Sequence, residues 1–318
     1  MHAQGTKLKT AGGILEISLP ATSANLGPAF DTAALAFRLA LKVQARLASE
    51  FSVSARGRDA GICGRVDDHL IVDTYREVLQ AQGKPAKAIA LRLSNEIPIG
   101  KGCGSSAAAR LAGIALAVHF GKLRWSDSRI IAEASRREHH PDNAAACWMG
   151  GLAVAKMNDA ETQVVKLTPR GKWPLLLVVP DQPLSTEEAR LVLPTEYSRA
   201  DAVANLQNSM LLLGAFVQGR SELLSSALDD RMHQPYRAPL CPLLSTLQEL
   251  NGRSGVLGAV LSGAGPSVLI FVDPKSSSSR VAARVAQHVR SRGLSAELVV
   301  TSISEQGARD SIVVKSDK

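Results

Sequence analysis

The sequence predicts an α+β protein built from two domains. Segments in which apolar and polar residues alternate, as in strands, are interspersed with segments of helical spacing along the whole chain. The second half runs strand, helices, hairpin, helix, strand, which is the order of an α+β layer. With 318 residues the chain is long enough for two domains, and a Pro-Arg-Gly-Lys run at 169–172 separates residues 13–168 from residues 173–310.

The individual elements follow from apolar spacing and from capping and turn residues. Strands are predicted over residues 13–19, 41–47, 51–56, 87–95, 152–156, 164–167, 174–179, 256–261, 268–272 and 296–301. Helices are predicted over residues 67–82, 107–120, 125–138, 201–218, 222–228, 243–250 and 281–292, and residues 183–190 are expected to form a loop that enters a short helix. The strands at 41–47 and 51–56 are expected to pair with each other, and no regular structure is expected after Ser311.

Composition limits the class of protein. The chain is 45% hydrophobic and 21% charged, an ordinary globular balance. Its four cysteines form no CxxC pair, which argues against a disulfide framework and a zinc knuckle and favours a reducing compartment. The first twelve residues lack the apolar region of a signal peptide, and no apolar run is long enough to span a bilayer. We therefore expect a cytoplasmic protein with no membrane partner.

The net charge of +8 allows a nucleic-acid partner but does not favour one. The basic residues are dispersed, and only 4% of residues are aromatic, so there are few side chains on which bases could stack. A basic balance suits small anionic substrates equally well. No nucleic-acid partner is expected.

The segment most informative about function is Pro98–Ala109, which lies between a predicted strand and a predicted helix. Three glycines alternate through it: Gly100, Gly102 and Gly104. Glycine adopts backbone angles closed to other residues and admits close approach of another group. Ser105 and Ser106 stand where the helix begins, and free N–H groups at a helix N-terminus bind phosphate. The segment predicts a cradle for the phosphates of ATP.

Better-known glycine loops do not match this segment. Walker A requires Ser or Thr directly after Gly-Lys, whereas Gly102 follows Lys101. The dinucleotide pattern GxGxxG fails because Gly104 is the last glycine of the segment. The serine motif GxSxG of acyl-transfer enzymes is absent as well. The loop is therefore of another type.

Two further polar stretches contain groups that suit a substrate site. Residues 20–31 are rich in loop formers and are interpreted as a loop, either a structural turn or a binding loop. Four polar side chains lie within six positions where a helix is expected to end: Glu138, His140, Asp142 and Asn143. Without HExxH spacing, a simple loop or a magnesium-and-substrate site is favoured over zinc. A second glycine-rich connection, 262–267, is expected to join two hairpin strands.

Three ordered motifs resemble the GHMP kinase superfamily of galactokinase, homoserine kinase, mevalonate kinase and phosphomevalonate kinase. Pro98–Ala108 matches its phosphate loop, PxxxGLGSSAA, except that Cys103 replaces leucine. Leu261–Val268 matches its C-terminal motif. Pro20–Asp31 is close to PATSANLGPGFD, the form found in the homoserine kinase branch, and His140–Asn143 matches the HPDN of that branch.

The resemblance implies the two-domain GHMP kinase fold, with an ATP-binding N-terminal domain similar to a ribosomal-protein fold and a ferredoxin-like C-terminal domain. It also implies transfer of the γ-phosphoryl group of ATP, with Mg²⁺, to the side-chain hydroxyl of L-homoserine on the route to threonine. ATP would contact Pro98, Gly100, Lys101, Gly102, Cys103, Gly104, Ser105, Ser106 and His69. Ser106 and Glu138 would hold the metal, with Glu133 as the alternative ligand.

By the same resemblance, the acceptor would be bound by Asn25, Asp31, His140, Asn143, Arg190 and Arg237. An amino acid needs a carboxylate for its ammonium, for which Asp31 is suited. It also needs a cation for its carboxylate, for which Arg190 and Arg237 are suited. The expected catalytic residues are Asn25, Asp31 and Asn143. Several related kinases have an aspartate base near the position of Asn143, so we expect positioning and charge stabilisation here rather than strong base catalysis.

The chain departs from the superfamily pattern at several positions. Ala29 and His139 replace glycines of the acceptor motifs, and His69 stands where an adenine-side asparagine is usual. Lys101 and Cys103 alter the phosphate loop. These departures leave open a GHMP kinase for another small alcohol. The alternative from a different class is a non-catalytic nucleic-acid-binding or regulatory relative. A homodimer is also left open.

Overall fold

Two β-sheets, one for each half of the chain, organise the fold. The computed structural model describes residues 13–158 and 161–316. The strands are β1 (Gly13–Asn25), β2 (Ala29–Leu47), β3 (Ser52–Gly57), β4 (Ile89–Asn95), β5 (Leu152–Met157), β6 (Thr162–Leu167), β7 (Pro174–Pro180), β8 (Val256–Leu261), β9 (Val268–Val272), β10 (Ala296–Ser302) and β11 (Val313–Ser316). The helices are α1 (Ala60–Cys63), α2 (Leu70–Ala81), α3 (Ser105–Phe120), α4 (Asp127–Glu138), α5 (Asp142–Met149), α6 (Thr186–Leu191), α7 (Arg199–Gln218), α8 (Leu224–Ala227), α9 (Gln234–Arg237), α10 (Pro242–Gln248) and α11 (Ser278–Ser291). Within the described residues, none of these helices combines the length and the apolar composition that crossing a membrane requires.

The first sheet has seven strands and belongs mainly to the N-terminal half. Its order is β11-β1-β2-β4-β3, with β5 paired to β2 and β6 paired to β5. The 19-residue strand β2 pairs with β1, β4 and β5 along different parts of its length. The prediction that residues 41–47 and 51–56 pair with each other is wrong, because β4 lies between β2 and β3 and runs parallel to β3.

Helix α3 lies at the centre of the first domain, where it packs against α2, α4 and β1. It is rich in alanine, and most of its residues are buried. Small side chains allow the neighbouring backbone to come close: a Cβ added at Gly113 would lie 2.6 Å from the carbonyl oxygen of Ile71 in α2. The position of α3 fixes where the segment before it, the glycine-rich loop, can lie.

The second sheet has four antiparallel strands in the order β10-β7-β9-β8. Helices α10 and α11 pack on one face, over a cluster that includes Leu176, Val178 and Ile270. The other face contributes Leu177 and Leu269 to the hydrophobic core that continues into the first domain. The strand order and the β-helices-β-β-α-β succession are those of a ferredoxin-like fold, as the resemblance implied.

After β10 the chain returns to the first domain. Ser304 N donates a hydrogen bond to the carbonyl oxygen of Ala36 in β2. Strand β11 then pairs antiparallel with β1, from Gly13 opposite Ser316 to Glu16 opposite Val313. The expectation that no regular structure follows Ser311 is therefore wrong, because the last strand finds its hydrogen-bonding partner at the start of the chain.

Two stretches that the sequence analysis treats as loops are regular structure. Most of residues 20–31 belongs to β1 and β2, which accommodate Pro20 at a register shift between Pro20 and Ala21. Asp142 begins α5 directly after the HPDN proline, Pro141, which is the N-cap of that helix. Proline both ends the preceding helix and suits the start of the next one, since the first N–H groups of a helix have no intrahelical partner.

We predict that Gly113→Ala destabilises the protein although alanine favours helix. Alanine contributes up to about 1 kcal/mol of helix propensity, but the added Cβ would lie 2.6 Å from Ile71 O and 2.7 Å from Thr74 Cβ. Overpacking of this kind outweighs the gain, and the free energy of unfolding should fall by about 1 to 2 kcal/mol. Urea denaturation measures the change. The matched control is Gly61→Ala in α1, where the new Cβ meets nothing within 4 Å; equal effects at the two sites would contradict the packing argument.

Candidate active site

The glycine-rich segment after β4 forms a tight loop that leads into α3. Gly100, Gly102 and Gly104 all have positive φ, at 67°, 75° and 70°. A Cβ at Gly102 would lie 2.1 Å from the carbonyl oxygen of Ser262, and one at Gly104 would lie 1.9 Å from Thr22 Oγ1. The last two glycines are therefore required both by their backbone angles and by their close neighbours.

The glycine turn between β8 and β9, residues 262–267, packs directly against this loop. Ser262 Oγ donates a hydrogen bond to the carbonyl oxygen of Gly102 (2.7 Å). The carbonyl oxygen of Gly263 accepts one from Asn25 Nδ2 (2.9 Å). The expected hairpin is confirmed, and backbone from both domains meets at one place.

These segments line a cavity of about 110 Å³. Ser105 and Ser106, in the first turn of α3, are part of its lining. The N-cap of α3 is Gly104, which has no side chain with which to cap the helix. Because the first N–H groups of a helix lack intrahelical partners, those of α3 are available to an anion in the cavity.

Two of the expected phosphate-loop residues do not line the cavity. Pro98 is buried ahead of the loop, and Lys101 Nζ donates a hydrogen bond to the carbonyl oxygen of Asp181 in the second domain. Cys103 does line it. Burial raises the pKa of the Cys103 thiol to about 12, so the thiol stays protonated and uncharged.

A second, more apolar pocket adjoins the cavity at the phosphate loop. Its apolar lining includes Leu41, Ile62, Leu70, Ile71, Leu93, Ile97, Ile99 and Ala109. His69 lies in its wall as the N-cap of α2: Nδ1 accepts a hydrogen bond from Ile71 N (3.3 Å), and Nε2 donates one to the carbonyl oxygen of Cys63 (3.0 Å). Both ring nitrogens are hydrogen-bonded within the protein, so His69 can contact a ligand with the face of its ring but not with a hydrogen bond.

Ser106 and Glu138 meet at the edge of the cavity. Ser106 Oγ donates a hydrogen bond to Glu138 Oε1 (2.6 Å), and Arg110 Nε donates to the same oxygen (2.5 Å). Glu133 does not line this cavity, and its carboxylate pairs with two arginines of its own helix. Of the two candidate metal ligands, the structure therefore places Glu138 beside Ser106.

An ion pair between the two domains lies beside the phosphate loop. Arg190 Nη2, in α6, donates to both carboxylate oxygens of Asp31 (2.8 and 3.0 Å). The backbone N of Asp31 donates to Asn25 Oδ1 (2.9 Å), which ties the start of β2, and with it the carboxylate, to the end of β1. The side chains of Arg190 and Asp31 are 36% and 31% exposed and line the cavity, so both charges are accessible to a ligand.

Arg237 lines the same cavity but is only 1% exposed. Its Nε donates to the carbonyl oxygen of Ala189 (2.9 Å), and its Nη1 donates to His233 Nδ1 (3.1 Å). Burial and the neighbouring charge of Arg190 lower the pKa of Arg237 to about 10, which leaves it cationic at neutral pH. Burial also lowers the pKa of His233, to about 4, so its ring is neutral and Nε2 donates to the carbonyl oxygen of Gly27.

The two asparagines differ in what they offer a ligand. Thr22 Oγ1 donates to Asn143 Oδ1 (2.6 Å), so the amide NH₂ of Asn143 is the group left for a ligand. Asn25 uses both ends of its amide within the protein, because Oδ1 accepts from Asp31 N while Nδ2 donates to Gly263 O. Asn25 therefore holds the site together, whereas Asn143 can contact a ligand directly.

His140 enters the cavity as one member of a buried pair with Asp142. Nδ1 of the ring hydrogen-bonds to Asp142 Oδ1 (2.7 Å), and the same oxygen accepts from the backbone N of Asn143 (2.6 Å). Burial acts to lower the pKa of His140, but the hydrogen bond to Asp142 and the nearby carboxylates prevail and raise it above its ordinary value. Because Nδ1 is engaged, Nε2 is the ring nitrogen left for a ligand.

Sequence reasoning assigned no individual role to three residues that orient the site: Thr22, Asp142 and His233. The first two lie inside motifs that the sequence analysis identifies, but only the contacts reveal that they hold Asn143 and His140. His233 precedes Arg237 by four positions, the spacing that brings two side chains together on one helical turn. That spacing is the sequence feature from which the contact between His233 and Arg237 could have been predicted.

Sequence comparison identifies the same superfamily in both halves of the chain. Residues 69–151 match the family "GHMP kinases N terminal domain", and residues 212–291 match "GHMP kinases C terminal". A homoserine kinase of Solibacter usitatus is 41% identical over 292 residues, which is 92% of this chain and 95% of the relative. One from Deinococcus radiodurans is 35% identical, with the same two shares.

Solved structures agree on the fold. The crystal structure of homoserine kinase from Cytophaga hutchinsonii superposes with a TM-score of 0.79 at 22% identity, covering 99% of this chain and 100% of the other. Galactokinase from Lactococcus lactis, complexed with galactose, superposes at 0.64 with 16% identity, covering 92% and 94%. The two-domain fold, both matched halves and the close relatives agree: the chain belongs to the homoserine kinase family of the GHMP kinase superfamily.

Proposed function

We propose that this protein transfers the γ-phosphoryl group of ATP to the side-chain hydroxyl of L-homoserine, forming O-phospho-L-homoserine in threonine biosynthesis. One observation carries the proposal: the phosphate loop and the charges suited to an amino acid line the same cavity. Phosphoryl transfer depends mainly on holding its two reactants side by side in the right orientation. The names of the curated relatives support the same acceptor.

The zwitterionic end of homoserine matches the three charges beside the cavity. Asp31 and Arg190 satisfy each other through two hydrogen bonds. A bound amino acid replaces that contact. The ammonium of the amino acid pairs with the Asp31 carboxylate, and the carboxylate of the amino acid pairs with the guanidinium groups of Arg190 and Arg237. Arg237 is held rigidly by Ala189 and His233, so little side-chain freedom is lost when it binds.

The nucleotide lies on the other side of the cavity. The N–H groups at the start of α3 and the backbone of the phosphate loop contact the phosphates, and the apolar pocket beside His69 takes the base. Ser106 Oγ and the Glu138 carboxylate are oxygen donors of the kind that Mg²⁺ prefers, so these two residues fit the metal and would hold it. When bound, the ion offsets the negative charge of the phosphates.

Between the two substrates stand Asn143 and His140. The Asn143 amide NH₂ can donate to the acceptor hydroxyl or to the transferred oxygens, but an amide NH₂ cannot take up a proton. Asn143 therefore positions the hydroxyl and stabilises charge instead of acting as a base. Asn25 and Asp31 contribute by holding the loop and the substrate ammonium. A loose phosphoryl-transfer transition state needs little base catalysis.

The first prediction from this proposal concerns the carboxylate of the acceptor. Arg190→Met removes one of its two cations, and the KM for L-homoserine should rise roughly 10- to 100-fold, the value of a charge-assisted hydrogen bond. The KM for ATP should stay nearly constant. Steady-state kinetics with each substrate varied in turn gives both values. The matched control is Arg231→Met, whose guanidinium pairs with Asp229 on the surface. An equal rise in both KM values would contradict the assignment.

The second prediction distinguishes the two candidate metal ligands. Glu138→Gln and Ser106→Ala should each lower kcat about 100-fold, because charge stabilisation at the transferred group is lost. Both should also raise the Mg²⁺ concentration at half-maximal rate. Glu133→Gln is the control, since Glu133 pairs with arginines of its own helix. Titration of activity with MgCl₂ at fixed ATP measures the effect, and a change confined to Glu133→Gln would reverse the assignment.

The third prediction tests the acceptor itself. With ATP in excess, kcat/KM for L-homoserine should exceed that for 3-amino-1-propanol, 4-hydroxybutyrate, mevalonate and galactose by at least about 100-fold. 3-Amino-1-propanol lacks the carboxylate of homoserine, and 4-hydroxybutyrate lacks its ammonium, so each would leave a charged side chain of the site unpaired. A coupled assay of ADP release compares the panel. Turnover of another alcohol without turnover of homoserine would favour a different GHMP kinase, and no turnover together with salt-sensitive RNA binding would favour a non-catalytic relative.

A further inference from the structure

The aromatic ring of Phe30 is close to both arginines that line the cavity. Phe30 is the second residue of β2, directly before Asp31, and its side chain is half-buried. The guanidinium carbon of Arg190 lies 5.6 Å from the centroid of the ring, and that of Arg237 lies 5.4 Å from the same centroid. Both distances are within the range at which the face of an aromatic ring attracts a cation.

A third contact joins Phe30 to the histidine that holds Arg237. The rings of Phe30 and His233 are stacked, with their centroids 5.3 Å apart and their planes at 24°. His233 Nδ1 accepts the hydrogen bond from Arg237, and Nε2 donates to the carbonyl oxygen of Gly27, three residues before the phenylalanine. Phe30 belongs to the first domain, whereas His233 and both arginines belong to the second. The ring therefore contacts the cationic part of the site across the domain boundary.

The backbone around Phe30 is held in place on both sides. The carbonyl oxygen of Pro28, in the turn before it, accepts hydrogen bonds from Asn205 Nδ2 (2.7 Å) and Ser209 Oγ (2.8 Å), both in α7. Asp31, directly after it, is fixed by the hydrogen bond of its own backbone N. The ring is thus attached to a backbone segment that the second domain helps to hold.

Two arginines that bind one carboxylate repel each other until the carboxylate arrives. After burial, the charge of Arg190 is the largest cause that lowers the pKa of Arg237, so the two cations interact. Asp31 offsets the repulsion, but in the proposed complex its charge is neutralised by the substrate ammonium. The electron-rich face of an aromatic ring attracts both cations without being an anion that competes with the ligand. Phe30 does not line the cavity, so its ring leaves that space free.

We propose that Phe30 is a positioning residue for the acceptor carboxylate, because its ring holds the guanidinium groups of Arg190 and Arg237 so that both converge on that carboxylate. The proposal rests on the function proposed above, which assigns the two arginines to the carboxylate of the acceptor. Phe30 acts through the arginines and does not touch the substrate. Its ring therefore favours acceptors that have a carboxylate beside the ammonium over amino alcohols that lack one.

Steady-state kinetics of Phe30→Leu test this role. Leucine is apolar but has no electron-rich face, so the KM for L-homoserine should rise roughly 10-fold, as expected when two cation–π contacts are lost. The KM for ATP and kcat should stay nearly constant. The inhibition constant of 3-amino-1-propanol, which has no carboxylate, should also stay constant. The matched control is Phe51→Leu, since Phe51 makes the same kind of contact with Arg76 (4.1 Å) outside the cavity.

Fluorinated phenylalanines at position 30 separate the electrostatics of the ring from its packing. Fluorine withdraws electron density from the ring face and barely changes the shape of the side chain. One, two and three fluorine atoms should therefore raise the KM for L-homoserine stepwise. Phe30→Tyr keeps the ring, and its KM should stay within about threefold of wild type. If Phe30→Leu fails to fold, which thermal unfolding measures, the fluorinated chains decide, because they keep the packing.

The outcomes distinguish this inference from the proposed function. An unchanged KM for L-homoserine in Phe30→Leu would overturn the role of Phe30. A KM that does not depend on fluorination, or equal weakening of 3-amino-1-propanol, would do the same. In each of these cases wild type still phosphorylates L-homoserine, and the proposed function stands. Wild type that does not phosphorylate L-homoserine would instead overturn the proposed function and, with it, this inference.

Discussion

The contact between the phosphate loop and the glycine turn of the second domain is the constraint on which the rest of the site depends. Any side chain at Gly102 would collide with the carbonyl oxygens of Ser262 and Gly265, at 2.1 and 2.7 Å from its Cβ. Backbone therefore meets backbone, and Asn25 is tied to Gly263 across 238 positions of sequence. Both domains therefore shape the cradle.

Around that contact the protein concentrates charged side chains in a partly buried cavity. Burying a guanidinium such as that of Arg237 is costly unless its donors are satisfied. Here the carbonyl oxygen of Ala189 and the neutral ring of His233 accept hydrogen bonds from two of its N–H groups. The pKa of Arg237 falls to about 10, and the guanidinium is still charged at neutral pH. The cation is held in position before any ligand arrives, which is the arrangement that electrostatic recognition requires.

How far the sequence was informative depends on how local each feature is. The glycine loop and the hairpin turn at 262–267 could be predicted because their chemistry lies within a dozen residues. The position of β4 between β2 and β3, and the return of β11 to β1, could not, because strand pairing is decided by distant partners. Family resemblance selected Asp31, Arg190 and Arg237, and the structure shows that they line one cavity. It also shows that Asn25 supports the loop, which periodicity and motif spacing do not reveal.

The pairing of β11 with β1 also has a consequence for how the chain is made. The first sheet reaches its full width only when residues 313–316 have been synthesised, after the entire second domain. Until then, β1 is an edge strand, and unpaired edges invite pairing with other chains. On the ribosome, the second domain emerges while that edge is still open. Strand β11 thus covers the start of β1, whose edge would otherwise stay exposed.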